Sequence, residues 1–227
     1  MRLVIFDCDG TLIDSQHAIY GSMSLAFGSI GLPSPSRAEV LGVVGLSLPQ
    51  ALAVLAPSET EAVRHQIIDA YKNGFGGVRT LPDHQEALYD GISAAISTLA
   101  ARTDTVLGIA TGKSKRGVAR LLAQEKWEGY FVTIQTADDH PSKPHPSMIL
   151  QAMAETGADP HQTVMIGDTT YDMEMALNAG VGAIGVSWGY HTGDRLRGAG
   201  AHSIIKQGSE LLDAIEQRLA LQREAVS

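Results

Sequence analysis

The sequence predicts an α/β protein, a doubly wound parallel-sheet core with an all-helical segment inserted after its first strand. Three observations predict it. Leu3-Val4-Ile5-Phe6 is an unbroken apolar run that stops at two carboxylates, the pattern of a strand buried on both faces. From Thr105 onward, short apolar runs alternate with stretches of helical spacing, the rhythm of a parallel sheet covered by helices. Nothing strand-like appears between Asp14 and Thr80, so that part of the chain reads as helical throughout.

Taken in order, the stretch from Ser15 to Ile30 places Ala18, Ile19, Met23, Ala26, Phe27 and Ile30 at spacings of three and four, an amphipathic helix. Gly31-Leu32-Pro33 ends it, and Ser34-Pro35-Ser36 supplies a turn and a cap. Helices are expected over 37–42, 48–55 and 58–71. Ser58 and Glu61 have the spacing of a capping box for the last, and Asn73-Gly74-Phe75-Gly76-Gly77 is expected to end it. Beyond Leu81, Leu88-Tyr89-Asp90-Gly91-Ile92 introduces a helix to Ala101. Strands follow over 105–110, 130–134, 163–166 and 183–186, separated by helices over 115–124, 146–156 and 171–179, and a last helix runs over 209–221. The expected organisation is a core of residues 1–14 and 84–227 with a helical cap over 15–83.

A chain of 227 residues suffices for one sizeable core and a small insertion. Lys and Arg total 17 against 25 Asp and Glu, a net charge of -8, which argues against nucleic-acid binding. No apolar run has the length of a membrane span. The first apolar run ends at Asp7, too early for a signal peptide, and a cytoplasmic location is expected. Cys8 is the one cysteine, so no internal disulfide forms, and it reads as a small apolar residue.

Ligands of open α/β sheets bind beyond the carboxyl ends of the strands, so residues with a chemical role should directly follow strands. After the first, Asp7 and Asp9 lie two apart and project to one side of an extended chain. Crowded carboxylates are costly unless a cation or proton lies between them, and Gly10 lets the backbone bend. After the second comes Thr111-Gly112-Lys113: a hydroxyl, amides and a helix start form an anion seat, although a simple helix cap has the same pattern. Pro141-Ser142-Lys143-Pro144-His145-Pro146 holds Lys143 in a stiff loop, where most lysines would merely be solvated. After the fourth, Asp168 and Asp172 share a face of the first helical turn, a position equally suited to ordinary capping acids.

Together, Asp7-Cys8-Asp9-Gly10-Thr11-Leu12, Thr111-Gly112, Lys143 and the Asp168–Asp172 pair resemble, in kind and order, the four motifs of the haloacid dehalogenase superfamily in its phosphatase branch. The resemblance spans nearly the whole chain. The helical insertion is similar to the small cap of the subfamily that contains phosphoglycolate phosphatases and β-phosphoglucomutases. Leu88-Tyr89-Asp90-Gly91-Ile92 and Val186-Ser187-Trp188-Gly189-Tyr190 resemble that subfamily's re-entry into the core and its fifth strand end.

The resemblance implies a Rossmann-like core in which Asp7 is the nucleophile and Asp9 the general acid. It implies Mg2+ held by Asp7, the Asp9 carbonyl and Asp168, with Asp172 supporting the metal or orienting Lys143. Thr111, Gly112 and Lys143 would bind the transferring oxygens, with Gly10 and Thr11 shaping the loop around the same phosphate. Substrate choice would fall to the cap, where His17 and the Gly45-Leu46-Ser47 turn are candidates. Cap cations are scattered (Arg37, Arg64, Lys72, Arg79), which favours a small-molecule phosphate ester. The remaining histidines and Trp188 and Tyr190 read as surface, loop or packing residues. The expectation is a phosphatase for a phosphoglycolate-like ester, acting as a monomer or homodimer. The alternatives are a sugar phosphomutase and, less favoured, a non-catalytic phospholigand-binding protein. Dehalogenation is disfavoured because that branch lacks an acid like Asp9.

Overall fold

The computed structural model describes residues 1–224; the last three residues of the expected core lie outside the described part. The chain opens with β1 (Arg2–Phe6), a two-residue strand β2 (Ile13–Asp14), and the helices α1 (Gln16–Ser29), α2 (Arg37–Gly42), α3 (Leu48–Leu55) and α4 (Glu61–Val78). It returns through β3 (Ala87–Leu88) to α5 (Ile92–Ala100), β4 (Thr105–Thr111), α6 (Lys115–Glu125), β5 (Phe131–Thr136) and α7 (Ser147–Thr156). It closes with β6 (Thr163–Gly167), α8 (Thr170–Asn178), β7 (Gly182–Val186), α9 (Gly193–Gly198), β8 (Ser203–Ile205) and α10 (Leu211–Glu224).

Six strands form one sheet in the order β5-β4-β1-β6-β7-β8, with every neighbouring pair parallel. β1 lies inside it because all four of its apolar residues need cover, and Leu3, Val4, Ile5 and Phe6 are fully buried. Alternation divides them. Val4 and Phe6 join the cluster formed with α5, α6 and α10, while Leu3 and Ile5 join the one formed with α7, α8 and α9. Each such side chain contributes about 1.5–3 kcal/mol when removed from water. Cys8 also lies in the first of these clusters.

The helices α1–α4 pack around their own apolar cluster, which includes Ile19, Phe27, Leu52 and Ile67. They leave and return through the antiparallel ribbon in which Ile13 opposes Leu88 and Asp14 opposes Ala87.

Several local expectations need correction. The capping box expected at Ser58 and Glu61 does not form; Thr60 is the N-cap of α4 and its hydroxyl accepts from the Val63 amide at 3.3 Å. The glycine-rich stretch after Lys72 stays helical to Val78. Tyr71 and Phe75 pack against the helical cluster and Val78 is buried, and this burial outweighs the helix cost of roughly 1 kcal/mol per glycine. Thr111 is the last residue of β4 rather than the first beyond it. β2, β3, α9 and β8 were not expected; each has six residues or fewer, too short for a periodic pattern to stand out. His191 is buried rather than superficial. Its Nδ1 accepts from the Thr170 amide at 3.0 Å and its Nε2 donates to the Gly42 carbonyl at 3.3 Å.

Candidate active site

The site is assembled where β1, β4 and β6 end. The Asp7 amide donates to the Ile166 carbonyl at 3.0 Å, so the ladder between β1 and β6 carries Asp7 to the sheet's rim. The chain then turns sharply: the amides of Thr11, Leu12 and Ile13 all donate to the Cys8 carbonyl, and that of Gly10 donates to Ile13. Gly10 is required twice over. Its φ is +84°, and a Cβ there would come 2.2 Å from Asp168 Oδ2.

Three carboxylates, those of Asp7, Asp168 and Asp172, each offer an oxygen within 4.8 Å of the others. All three residues are buried. The Lys143 ammonium, also buried, lies 2.9 Å from Asp7 Oδ2 and 2.6 Å from Asp172 Oδ1. Asp172 spends its second oxygen on Thr169, accepting from the amide at 3.0 Å and the hydroxyl at 2.7 Å; it is thus also half of the capping box that starts α8. Asp168 accepts from the Thr11 hydroxyl and the Tyr190 amide, both at 2.8 Å. Asp7 Oδ1 accepts from the Cys8 amide at 2.6 Å, whereas Oδ2, despite the nearby ammonium, receives no well-aligned hydrogen bond.

Three buried acids sharing one ammonium leave the cluster short of positive charge. Burial pushes the Asp7 carboxyl up to about 6; Lys143 opposes the shift and Asp172 adds to it. Asp168 is pushed well above the ordinary carboxylate range by burial, then by the charges of Asp172 and Asp7. Burial works against the Lys143 ammonium, but Asp172 and Asp7 outweigh it and hold the group above the usual lysine value. An orphaned buried oxygen within an all-oxygen acidic cluster fits a divalent cation.

Asp9 faces elsewhere. Its Oδ1 accepts from the Lys113 ammonium and the Ser15 hydroxyl, both at 2.7 Å. Lys113 also reaches Glu86 at 3.1 Å, and Arg120 holds the other Glu86 oxygen at 3.0 Å. Burial opposes the Lys113 charge, yet Asp9 and Glu86 raise its pKa above the ordinary range. A cavity of about 570 Å³ opens over these groups. Asp7, Asp9, Thr111, Gly112 and Lys113 line its floor, and residues of the four-helix layer, among them Met23, Leu46, Tyr71 and Phe75, line its roof. Gly112 lets that roof approach, since a Cβ there would come 2.8 Å from the Gly45 carbonyl oxygen.

A family model described as haloacid dehalogenase-like hydrolase matches residues 4–186. The chain belongs to the haloacid dehalogenase-like hydrolase family. It is 37% identical to the Probable phosphatase IndB of Dickeya dadantii over 99% of this chain and 98% of that protein. It is 29% identical to a phosphoglycolate phosphatase of Xanthomonas campestris, covering 85% of this chain and 86% of the relative. The crystal structure of a predicted phosphatase from Clostridium acetobutylicum superposes with a TM-score of 0.83 at 28% identity, covering 95% of this chain and 98% of that one.

Of the residues singled out in this hydrolase's sequence, Asp7, Lys143, Asp168 and Asp172 form one buried cluster, and Asp7, Asp9, Thr111 and Gly112 line the cavity. Gly10 and Thr11 do not line it: the Gly10 amide is spent on Ile13 and the Thr11 hydroxyl on Asp168. His17 is exposed, 3.5 Å from Arg37 and edge-on to His84. It is not in the cavity wall, to which α1 contributes Ile19 and Met23 instead. Of the Gly45-Leu46-Ser47 turn, all three residues do line the cavity. Sequence reasoning passed over Lys113, Glu86 and Ser15. The available signal was Gly117, a glycine inside a helix four residues beyond Lys113.

Proposed function

We propose that this hydrolase cleaves a phosphate monoester through a transient phosphate on Asp7. The observation that carries the reading is Asp7 itself, a buried carboxylate at the end of the central strand, beside an ammonium and two further acids, on the floor of a 570 Å³ cavity. Asp7, the Asp9 carbonyl and Asp168 would hold magnesium, with Asp172 behind them; when bound, it offsets the repulsion between an anionic nucleophile and an anionic phosphate. An Asp7 oxygen attacks phosphorus, dividing one difficult displacement into two easier ones. The Thr111 hydroxyl, the Gly112 amide and the Lys143 ammonium bind the transferring oxygens, where fixed charge and positioning supply most of the rate. Asp9 protonates the departing alcohol and then takes the proton of the attacking water. The helices α1–α4 act as a lid over the reacting centre.

The substrate we favour is a small, phosphoglycolate-like ester. A relative named phosphoglycolate phosphatase covering 85% of the chain supports that choice. The test is phosphate release from a panel of small esters, 2-phosphoglycolate among them, with magnesium present. Turnover is expected for the native protein and none for Asp7→Asn. Release that persists in that variant eliminates the covalent route. Interconversion of glucose phosphates without phosphate release would point to a mutase instead.

A further inference from the structure

Lys113 has no part in the chemistry above, yet it is among the most fully engaged side chains in the molecule. Its side chain is 7% exposed and its ammonium contacts two carboxylates, Asp9 at 2.7 Å and Glu86 at 3.1 Å. The Phe75 ring of α4 lies 5.8 Å from the same nitrogen. The fold makes room for it. A Cβ at Gly117, in the first turn of α6, would come 2.8 Å from Lys113 Cγ and 3.2 Å from Cε. Glycine weakens a helix interior, and here its absent side chain is the bed on which the lysine stem lies.

We infer that Lys113 is a positioning residue that fixes Asp9 as proton donor to the departing alcohol, an inference that rests on the phosphatase reading. Two donors, the Lys113 ammonium and the Ser15 hydroxyl, converge on the same oxygen of Asp9, Oδ1. Among the described residues no donor bonds Oδ2. The carboxyl group is therefore held in one orientation, with Oδ1 committed as acceptor to both donors and Oδ2 left for the departing oxygen. In the first half-reaction a bond forms from an Asp7 oxygen to phosphorus. The ester P–O bond breaks with its electron pair on the alcohol oxygen, which takes the proton from Oδ2. In the second half, water oxygen bonds to phosphorus, its proton passes to Oδ2, and the Asp7–phosphorus bond breaks. Glu86, itself held by Arg120 at 3.0 Å, is the second carboxylate on the Lys113 ammonium. The ammonium thereby joins the acid to the segment through which the chain returns from the helical layer.

A lysine that merely braces the fold and one that aims a proton donor differ in one measurable respect. The departing anion of p-nitrophenyl phosphate needs no proton, whereas that of β-glycerophosphate does. Lys113→Met should lower kcat for β-glycerophosphate by about 100-fold, the low end of general-acid contributions, and that for p-nitrophenyl phosphate by less than about threefold. Lys113→Gln, measured alongside, should show the same division even if the methionine variant folds poorly. Adding Lys113→Met to Asp9→Asn should cost nothing further on either ester, because the two residues act as one unit. Equal losses on both esters, or additive losses in the double variant, would overturn the assignment. A native protein that releases phosphate from neither ester would instead overturn the phosphatase reading.

Discussion

Replacing Asp7 with asparagine should abolish turnover and, in the presence of a chelator, make the protein more stable. The carboxyl is displaced from 3.8 to about 6 by burial, with Lys143 and Asp172 acting in opposite directions and Asp168 completing the cluster. Two units at 1.36 kcal/mol each correspond to about 3 kcal/mol by which the ionised group weakens the metal-free fold. The sign follows from proton uptake. Between 3.8 and about 6 the folded state binds the proton more tightly than the unfolded one, so the native protein loses stability as pH rises through that window. Asparagine carries no such charge. For a chain of this length, about 3 kcal/mol corresponds to roughly 6–12 °C in Tm. Thermal unfolding in EDTA at about pH 8 should therefore show the variant melting higher, with the gap about halved near pH 5. Added magnesium should narrow it from the other side, by stabilising the native protein more than the variant. A variant that melts no higher than the native protein at about pH 8, or a gap unchanged at about pH 5, would refute the reasoning.

Three further outcomes are expected. Gly10→Ala combines a φ of +84° with a Cβ 2.2 Å from Asp168 Oδ2; it should cost at least about 1–2 kcal/mol in denaturant unfolding and eliminate phosphate release. Leu52→Ala, at a fully buried position of the four-helix cluster, should cost about 2–5 kcal/mol, read as a lower denaturation midpoint. Asp168→Asn should lose most of the rise in Tm that magnesium gives the native protein, because it removes one of the three clustered acids; an undiminished rise would place the cation elsewhere.

What could be read from the string follows a physical line. β1 was legible because a strand buried on both faces writes itself as consecutive apolar residues, and Leu3 to Phe6 leave no other arrangement. Asp7 and Asp168 were legible because strand ends are where such sheets display chemistry, and Lys143, well beyond the end of β5, because prolines on both sides stiffen its loop. Lys113 was not, since its meaning depends on Asp9 and Glu86, 104 and 27 residues away, and a lone lysine is by default a solvated one. The end of α4 was misjudged for a related reason. Asn73 to Gly77 have poor helix propensity, but Phe75 finds partners in other helices, and tertiary packing overrides local preference. His17 has the residue type of a ligand without the location, which only the rotation of α1 decides.

The ribbon joining Ile13–Asp14 to Ala87–Leu88 has a further consequence. Since the chain departs and comes back through adjacent positions, the helical layer adds nothing to the register of the six-stranded sheet. Residues of α1–α4 can thus change without shifting any strand pairing of that sheet. The ribbon keeps change in the helical layer apart from the pairing of the core strands.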